Sequence, residues 1–306
     1  MESLMRNAFL FLSKNRTANR TAKKYGLRFG AKRFVAGEQI SEAITAVREL
    51  NDRGIVVTLD HLGEFISTTN EAVESMQYCI RTLDEIAASG VKANLSLKLT
   101  QLGLDISRDL CLSNMRSILE AASRYDNFVR IDMEDYAHNE ASIELFCQLR
   151  EEFGSTIGLV IQAYLYKSEE DIIKLHRYQP NLRLVKGAYK EPPEVAFPKK
   201  EDVDNNYIRI IEQHLKNGDY AAIATHDDNI INSVKTFVKA NNIPLSQFEF
   251  QMLYGIRTQA QQQLADEGYT MRVYVPYGDD WYGYFMRRLA ERPANVGFVV
   301  KSMFKS

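Results

Sequence analysis

Proline and glycine are both scarce in this 306-residue chain, at seven and sixteen residues. That argues against a collagen-like repeat, a disordered chain and a loop-dominated all-β fold. Cysteine is scarcer still: Cys79, Cys111 and Cys147 make an odd number with no CxxC spacing, each inside a stretch of helical periodicity. They read as small buried hydrophobes in a reducing compartment, with neither a disulfide framework nor a cysteine zinc site expected. No apolar run reaches the roughly 18 residues that a membrane-crossing helix needs. The opening MESLMRNAFLFLSKNR has too short an apolar stretch, and no small-residue cleavage site, for a signal peptide. GxGxxG, Walker A and HExxH patterns are absent, so a Rossmann cofactor site, a P-loop and a zincin are unsupported. Large net charge is missing too: the total of −2 argues against a whole-surface nucleic-acid binder.

The charge is unevenly placed. Residues 1–36 carry Arg6, Lys14, Arg16, Arg20, Lys23, Lys24, Arg28, Lys32 and Arg33 against Glu2 alone, a net of +8 that leaves −10 for the rest. The hydrophobic content of 45% is ample for a sizeable core. The uneven charge and the rhythm that follows it suggest a basic N-terminal helical segment over 1–37 and a second unit over 38–306, expected to be the catalytic one if the strand-end charges below form a site.

Within that unit, short apolar or β-branched runs alternate with amphipathic stretches. Eight runs stand out, at 55–59, 93–97, 128–131, 158–161, 182–185, 221–225, 248–252 and 271–275. Helical stripes fall at 38–51, 70–88, 107–125, 138–152, 168–177, 203–216, 228–241, 256–267 and 279–292. Over 70–88, Val73, Met76, Ile80, Leu83 and Ile86 recur at steps of three or four, Thr69 or Asn70 can cap, and Gly90 lies just past the end. Strands that alternate with helices pair in parallel, because each helix is the crossover. Eight such units predict an α/β fold of the (β/α)8 TIM-barrel type, with a doubly wound open sheet as the alternative. The stretch YKEPPEVAFPKKEDVD (189–204), with three prolines, is either an active-site loop or a passive insertion.

Barrel active sites are built at the C-terminal ends of the strands. Those ends carry Asp60 and His61, Lys98, Asp132 with Glu134, Gln162, Lys186 to Tyr189, and Thr225 with His226 and Asp227; Arg183, Gln251 and Tyr274 lie inside their strands. Lys98, Asp132 and Arg183 interrupt or end otherwise apolar runs, where a charge needs a partner or a ligand. No metal site is expected: His61 and His226 lack a convincing ligand set, and His138, His176 and His214 read as surface or packing residues. Arg287 and Arg288 point about 100° apart on a helix, so both can face one site only if that helix lies over the barrel mouth. Arg287 can pair with Glu291 at i, i+4; alternatively the two arginines clamp a carboxylate, whose geometry a guanidinium fork matches.

In order, TLDHLGE (58–64), LSLKLT (95–100), VRIDMED (129–135), IQAY (161–164), RLVKGAY (183–189), ATHDD (224–228), FQMLYG (250–255) and YVPYG with YFMRRLAERPAN (274–278 and 284–295) resemble the motifs of proline dehydrogenases. The likeness spans about 40–300 and is closest to the monofunctional bacterial form. It implies a distorted barrel with N-terminal helices and the last helix over the mouth, FAD as cofactor, and oxidation of L-proline to Δ1-pyrroline-5-carboxylate with a membrane quinone as electron acceptor. Carried over by position, Asp132 and Arg183 are implied as catalytic residues. Lys98, Arg287 and Arg288 are implied to hold the proline carboxylate, with Tyr189, Tyr274 and Tyr284 packing on its ring and Glu291 partnering the arginines. Gln162, Arg183, Lys186, Gly187, Ala188, Thr225 and His226 are implied to contact the cofactor, Gly187 by letting the backbone come close.

Two other readings lack a use for these residues. A different flavin barrel oxidoreductase, such as a folate reductase, has no need of paired arginines, and a silent scaffold barrel has no need of the charged set. The basic head either packs on the barrel's flank or, through Leu4, Phe9, Leu10, Phe11 and Leu12 with their flanking cations, sits on an anionic bilayer. The cytoplasm, with a peripheral contact on the inner face of the cell membrane, is the expected location.

Overall fold

Apolar and polar residues alternate along several of the eight strands, and the alternation sorts them onto the two faces of a closed sheet. The structure, a computed structural model, describes residues 31–63 and 66–291, without the side chains of Ala290 and Glu291. The strands are β1 (Val56–His61), β2 (Ala93–Lys98), β3 (Val129–Asp132), β4 (Ile157–Gln162), β5 (Leu182–Val185), β6 (Ala221–Ala224), β7 (Phe248–Leu253) and β8 (Met271–Tyr277). They pair in parallel in sequence order, and β1 closes on β8 with Val57 opposite Val273 and Asp60 opposite Pro276. The expected (β/α)8 barrel is therefore present, and the open sheet is excluded.

Val57, Leu59, Leu95, Leu97, Val129, Ile131, Leu182, Leu184, Phe250, Val273 and Val275 belong to one fully buried core that the strands share with the surrounding helices. Burying each such side chain stabilises by about 1.5–3 kcal/mol. Their neighbours at period two (Thr58, Asp60, Ser96, Arg130, Asp132, Arg183, Glu249, Gln251, Arg272 and Tyr274) fill the barrel's interior, which is consequently polar.

Nine helices are described: α1 (Ile40–Asn51), α2 (Thr69–Ser89), α3 (Arg108–Arg124), α4 (Tyr136–Phe153), α5 (Ser168–Leu175), α6 (Lys200–Lys216), α7 (Asp228–Ala240), α8 (Thr258–Asp266) and α9 (Trp281–Glu291). The N-cap of α2 is Thr68, one residue before the two expected. Its hydroxyl accepts from the Glu71 amide while Glu71 reaches back to the Thr68 amide, a reciprocal capping box. Gly90 ends that helix at φ +66°, as expected. Helix α5 stops at Leu175, so His176 lies in a 3-10 turn rather than on the helix.

The helices α2 to α8 follow β1 to β7 in turn. The eighth flank position belongs to α1, which precedes β1 and packs on β1, β8 and α2. That arrangement releases α9 from the ring. Instead, Trp281, Tyr284, Phe285 and Leu289 form a separate cluster with Ala31, Phe34, Val35, Leu62 and Ile256. Part of the 1–37 segment thus supports α9: Ala36 N donates to Pro276 O at 2.9 Å, and Gly278 N to Gly37 O at 3.0 Å. The basic head before residue 31 lies outside the described residues. Among the described residues, no helix is long and apolar enough to cross a membrane.

The 189–204 stretch is tied to the segment after β4. Tyr166 N donates to Val195 O at 3.1 Å, Phe197 N donates to Tyr164 O at 2.8 Å, and Leu165 bridges Ala196. Tyr164, Leu165 and Ala196 form a small apolar cluster beneath it.

Candidate functional site

The C-terminal ends of β1 to β8 open into a cavity of about 880 Å³. Its lining includes Asp60, Lys98, Asp132, Gln162, Arg183, Lys186, Gly187, Ala188, Tyr189, Thr225, His226, Tyr274, Tyr284, Arg287 and Arg288. Every expected site residue except Glu291 is therefore gathered at one place, and the Glu291 side chain lies outside the described residues. Arg287 and Arg288 reach the cavity together because α9 lies across its rim. The Arg288 guanidinium stands 4.9 Å from the Tyr284 ring centre.

At the floor, Asp132 binds the Arg183 guanidinium and accepts from Ser96 Oγ at 2.7 Å. The Tyr274 hydroxyl lies 2.6 Å from Asp60 Oδ2 and 2.8 Å from Asp132 Oδ2, so its one hydrogen is shared between two carboxylates. Burial, then the charges of Asp132 and Asp60, push that hydroxyl well above the ordinary tyrosine range, which keeps it protonated. The Arg183 guanidinium also lies over the Tyr274 ring, 5.3 Å from its centre. Lys98 Nζ donates to Asp60 Oδ2 at 3.2 Å.

Asp60 is the residue that sequence reasoning underrated. Its expected place is the end of the first strand, but β1 continues through His61 and turns Asp60 inward, 1% exposed. The signal was available in the alternation Val57-Thr58-Leu59-Asp60. His61 faces away from the lining and stacks on Tyr78, with ring centres 4.2 Å apart.

Gln162 on β4 is 2% exposed; its Nε2 donates to Glu134 O at 2.8 Å, and its Oε1 is buried with no partner. Asp132 and Glu134 do not converge on an ion, since Glu134 accepts from Thr100 Oγ1 at 2.6 Å. Among the described residues no group of three His, Cys, Asp or Glu side chains could hold a metal. Lys186 pairs with Asp204 at 2.5 Å and Asp227 at 2.8 Å, and the charge of Lys186, chiefly through that hydrogen bond, holds the Asp227 carboxyl below its ordinary value. His226 Nε2 accepts from Leu253 N at 3.1 Å, which places the neutral ring's proton on Nδ1.

Gly187 adopts φ +112°, and a Cβ there would stand 2.4 Å from the Tyr164 ring. The Tyr164 ring occupies the space that a side chain at this position would need.

The cavity lining carries Lys98, Arg183, Lys186, Lys200, Arg287 and Arg288 against Asp60, Asp132, Asp227 and Asp228, an excess of two positive charges. Such a site favours a small anion and can hold it between a polar floor and the arginines of α9.

The family described as Proline dehydrogenase matches residues 43–301. Proline dehydrogenase 1 of Bacillus subtilis (strain 168) is 51% identical over 302 residues, covering 99% of this chain and all of the relative. The proline dehydrogenase of Deinococcus radiodurans is 49% identical over 279 residues, 90% of each chain. Among solved structures, proline utilization A (PutA) from Bdellovibrio bacteriovorus inactivated by N-propargylglycine superposes with a TM-score of 0.80 at 28% identity, over 85% of this chain and 32% of that one. PutA from Corynebacterium freiburgense gives a TM-score of 0.76 at 22% identity, a likeness of fold, over 98% of this chain and 34% of that one. This chain thus spans about a third of the length of those PutA chains.

Proposed function

From the premise that this chain belongs to the proline dehydrogenase family, we propose that its mouth cavity binds L-proline and FAD and oxidises proline to Δ1-pyrroline-5-carboxylate. The carrying observation is the convergence of Lys98, Arg183, Arg287 and Arg288 on one cavity with two carboxylates at its floor.

The cavity's residues fit FAD. Gln162 Oε1 is a buried acceptor that lacks a donor, and Lys186, Gly187 and Ala188 line the cavity in sequence. Bound there, FAD would supply the acceptor for a hydride from the carbon beside the proline nitrogen and the route for the electrons to a membrane quinone. The chain supplies binding, orientation and charge. Lys98, Arg287 and Arg288 hold the proline carboxylate by charge-assisted hydrogen bonds, which fixes the ring's place and reduces the entropy lost on reaching the transition state. Asp60 orients Lys98 and the Tyr274 hydroxyl. Arg183 stabilises negative charge that develops during transfer, and Asp132 holds its guanidinium in place. Tyr189, Tyr274 and Tyr284 pack on the substrate ring, and Glu291 supports the arginines. Lys186, Gly187, Ala188, Thr225 and His226 contact the cofactor. The enzyme works in the cytoplasm with a peripheral membrane contact through its basic N-terminal segment, where the quinone is reached.

The test is anaerobic: purified protein is expected to show an FAD spectrum that bleaches on addition of L-proline. Bleaching by another reductant but not by proline overturns the reading.

A further inference from the structure

Beneath the cavity, the barrel's interior holds an ion cluster that no role above uses. Glu249 on β7 is 2% exposed and accepts from Arg272 Nε at 2.8 Å, Gln251 Nε2 at 2.5 Å and the Tyr220 hydroxyl at 3.0 Å. Burial pushes its carboxyl up, but the facing Arg272, the Gln251 amide and Arg130 outweigh that and leave it below its ordinary value. Glu249 is accordingly an anion. A buried ion pair is weak support for stability, since apolar side chains of the same volume often serve as well. Its worth lies in what it orients.

Glu249 and Gln251 are two apart on one strand and share a face, and Gln251 lines the cavity. A carboxamide donates from its nitrogen and accepts at its oxygen. Against an ionised carboxylate only the nitrogen can turn down, because the oxygen would meet negative charge. The Gln251 carbonyl oxygen is left for the cavity side. Gln162 on β4 repeats the pattern, with its nitrogen held by the Glu134 carbonyl and its oxygen buried without a donor. Two glutamines at the mouth therefore offer acceptors.

We propose that Glu249 is a positioning residue that locks the Gln251 amide so its carbonyl oxygen meets a ring N–H of the cofactor. The proposal rests on the reading that the cavity takes FAD, whose ring system carries such a donor on its pyrimidine part. A glutamine in place of Glu249 can present either end of its own amide, so the lock is lost while the volume is kept.

Apoprotein would be titrated with FAD for the wild type, Glu249→Gln, Gln251→Leu and the double variant, reading the dissociation constant and the visible spectrum of the bound flavin. Glu249→Gln is expected to weaken FAD binding on the order of tenfold, the equivalent of one net hydrogen bond, and to shift the flavin absorption maxima. The double variant is expected to bind no more weakly than Gln251→Leu alone, because Glu249 acts through Gln251. Unchanged affinity and spectrum in Glu249→Gln, or losses that simply add in the double variant, overturn the proposal. Should the uncompensated Arg272 prevent folding, Glu249→Gln with Arg272→Met removes both charges and is expected to show the same loss; wild-type affinity there also overturns it. A wild-type protein that takes up no FAD defeats the reading of the cavity instead.

Discussion

Arg183 and Asp132 meet across the barrel mouth as a buried ion pair, with exposures of 6% and 12%. Ser96 Oγ bonds the same carboxylate oxygen and lies 3.3 Å from the guanidinium. Breaking such a pair from one side leaves a buried charge, at a cost of about 3–5 kcal/mol. Asp132→Ala and Arg183→Ala are each expected to lower stability in urea unfolding of the apoprotein, and the double variant to lose clearly less than their sum. Arg183→Ala is also expected to lower kcat on the order of a hundredfold. Strict additivity would show that the two residues act independently.

Arg288→Met tests the carboxylate clamp. Loss of a charge-assisted contact is expected to raise the proline KM about 10- to 100-fold with FAD still bound, read from steady-state kinetics and the flavin spectrum. A normal KM removes Arg288 from the clamp.

Gly187→Ala is expected to destabilise by about 1–3 kcal/mol, because the backbone conformation at φ +112° is closed to a Cβ that would also strike the Tyr164 ring. Thermal unfolding reads the loss. An unchanged Tm would mean the 186–189 segment moves aside at no cost.

His214 bears on acid stability. Burial, set against the opposing pull of Asp219, lowers its pKa from 6.5 to about 4, and Nε2 bonds Tyr220 O at 3.0 Å. The folded state thus refuses a proton that the unfolded chain accepts, so this residue's contribution is complete above pH 6.5 and is lost as pH falls toward 4. The loss amounts to about 3 kcal/mol. In urea unfolding between pH 7 and 4, His214→Asn is expected to lose less stability than the wild type by that amount. Parallel pH curves would count against it.

The barrel and the strand ends were legible because crossover helices leave few topologies, and because charges at the ends of apolar runs stand out. For Arg287 and Arg288 the resemblance implied a last helix over the mouth, but periodicity alone does not place it there, because its course depends on the cluster joining Phe34 and Leu62 to Phe285. The polar barrel interior was harder to read. Glu249 and Arg272 sit among apolar residues in sequence, and their pairing across β7 and β8 arises from register, which a single strand does not reveal. Thr68 caps α2 where the pattern suggests Thr69 or Asn70, since helix ends shift by a residue or two without changing the apolar stripe.

The seam between β1 and β8 joins segments more than two hundred residues apart, and α1 occupies the flank that a ninth, trailing helix would otherwise fill. During synthesis, the ring cannot close until β8 has emerged, although α1 has waited beside β1 from the start. Helix α9 leaves the ribosome after that, so the arginines it brings reach the site later than every residue the strands supply.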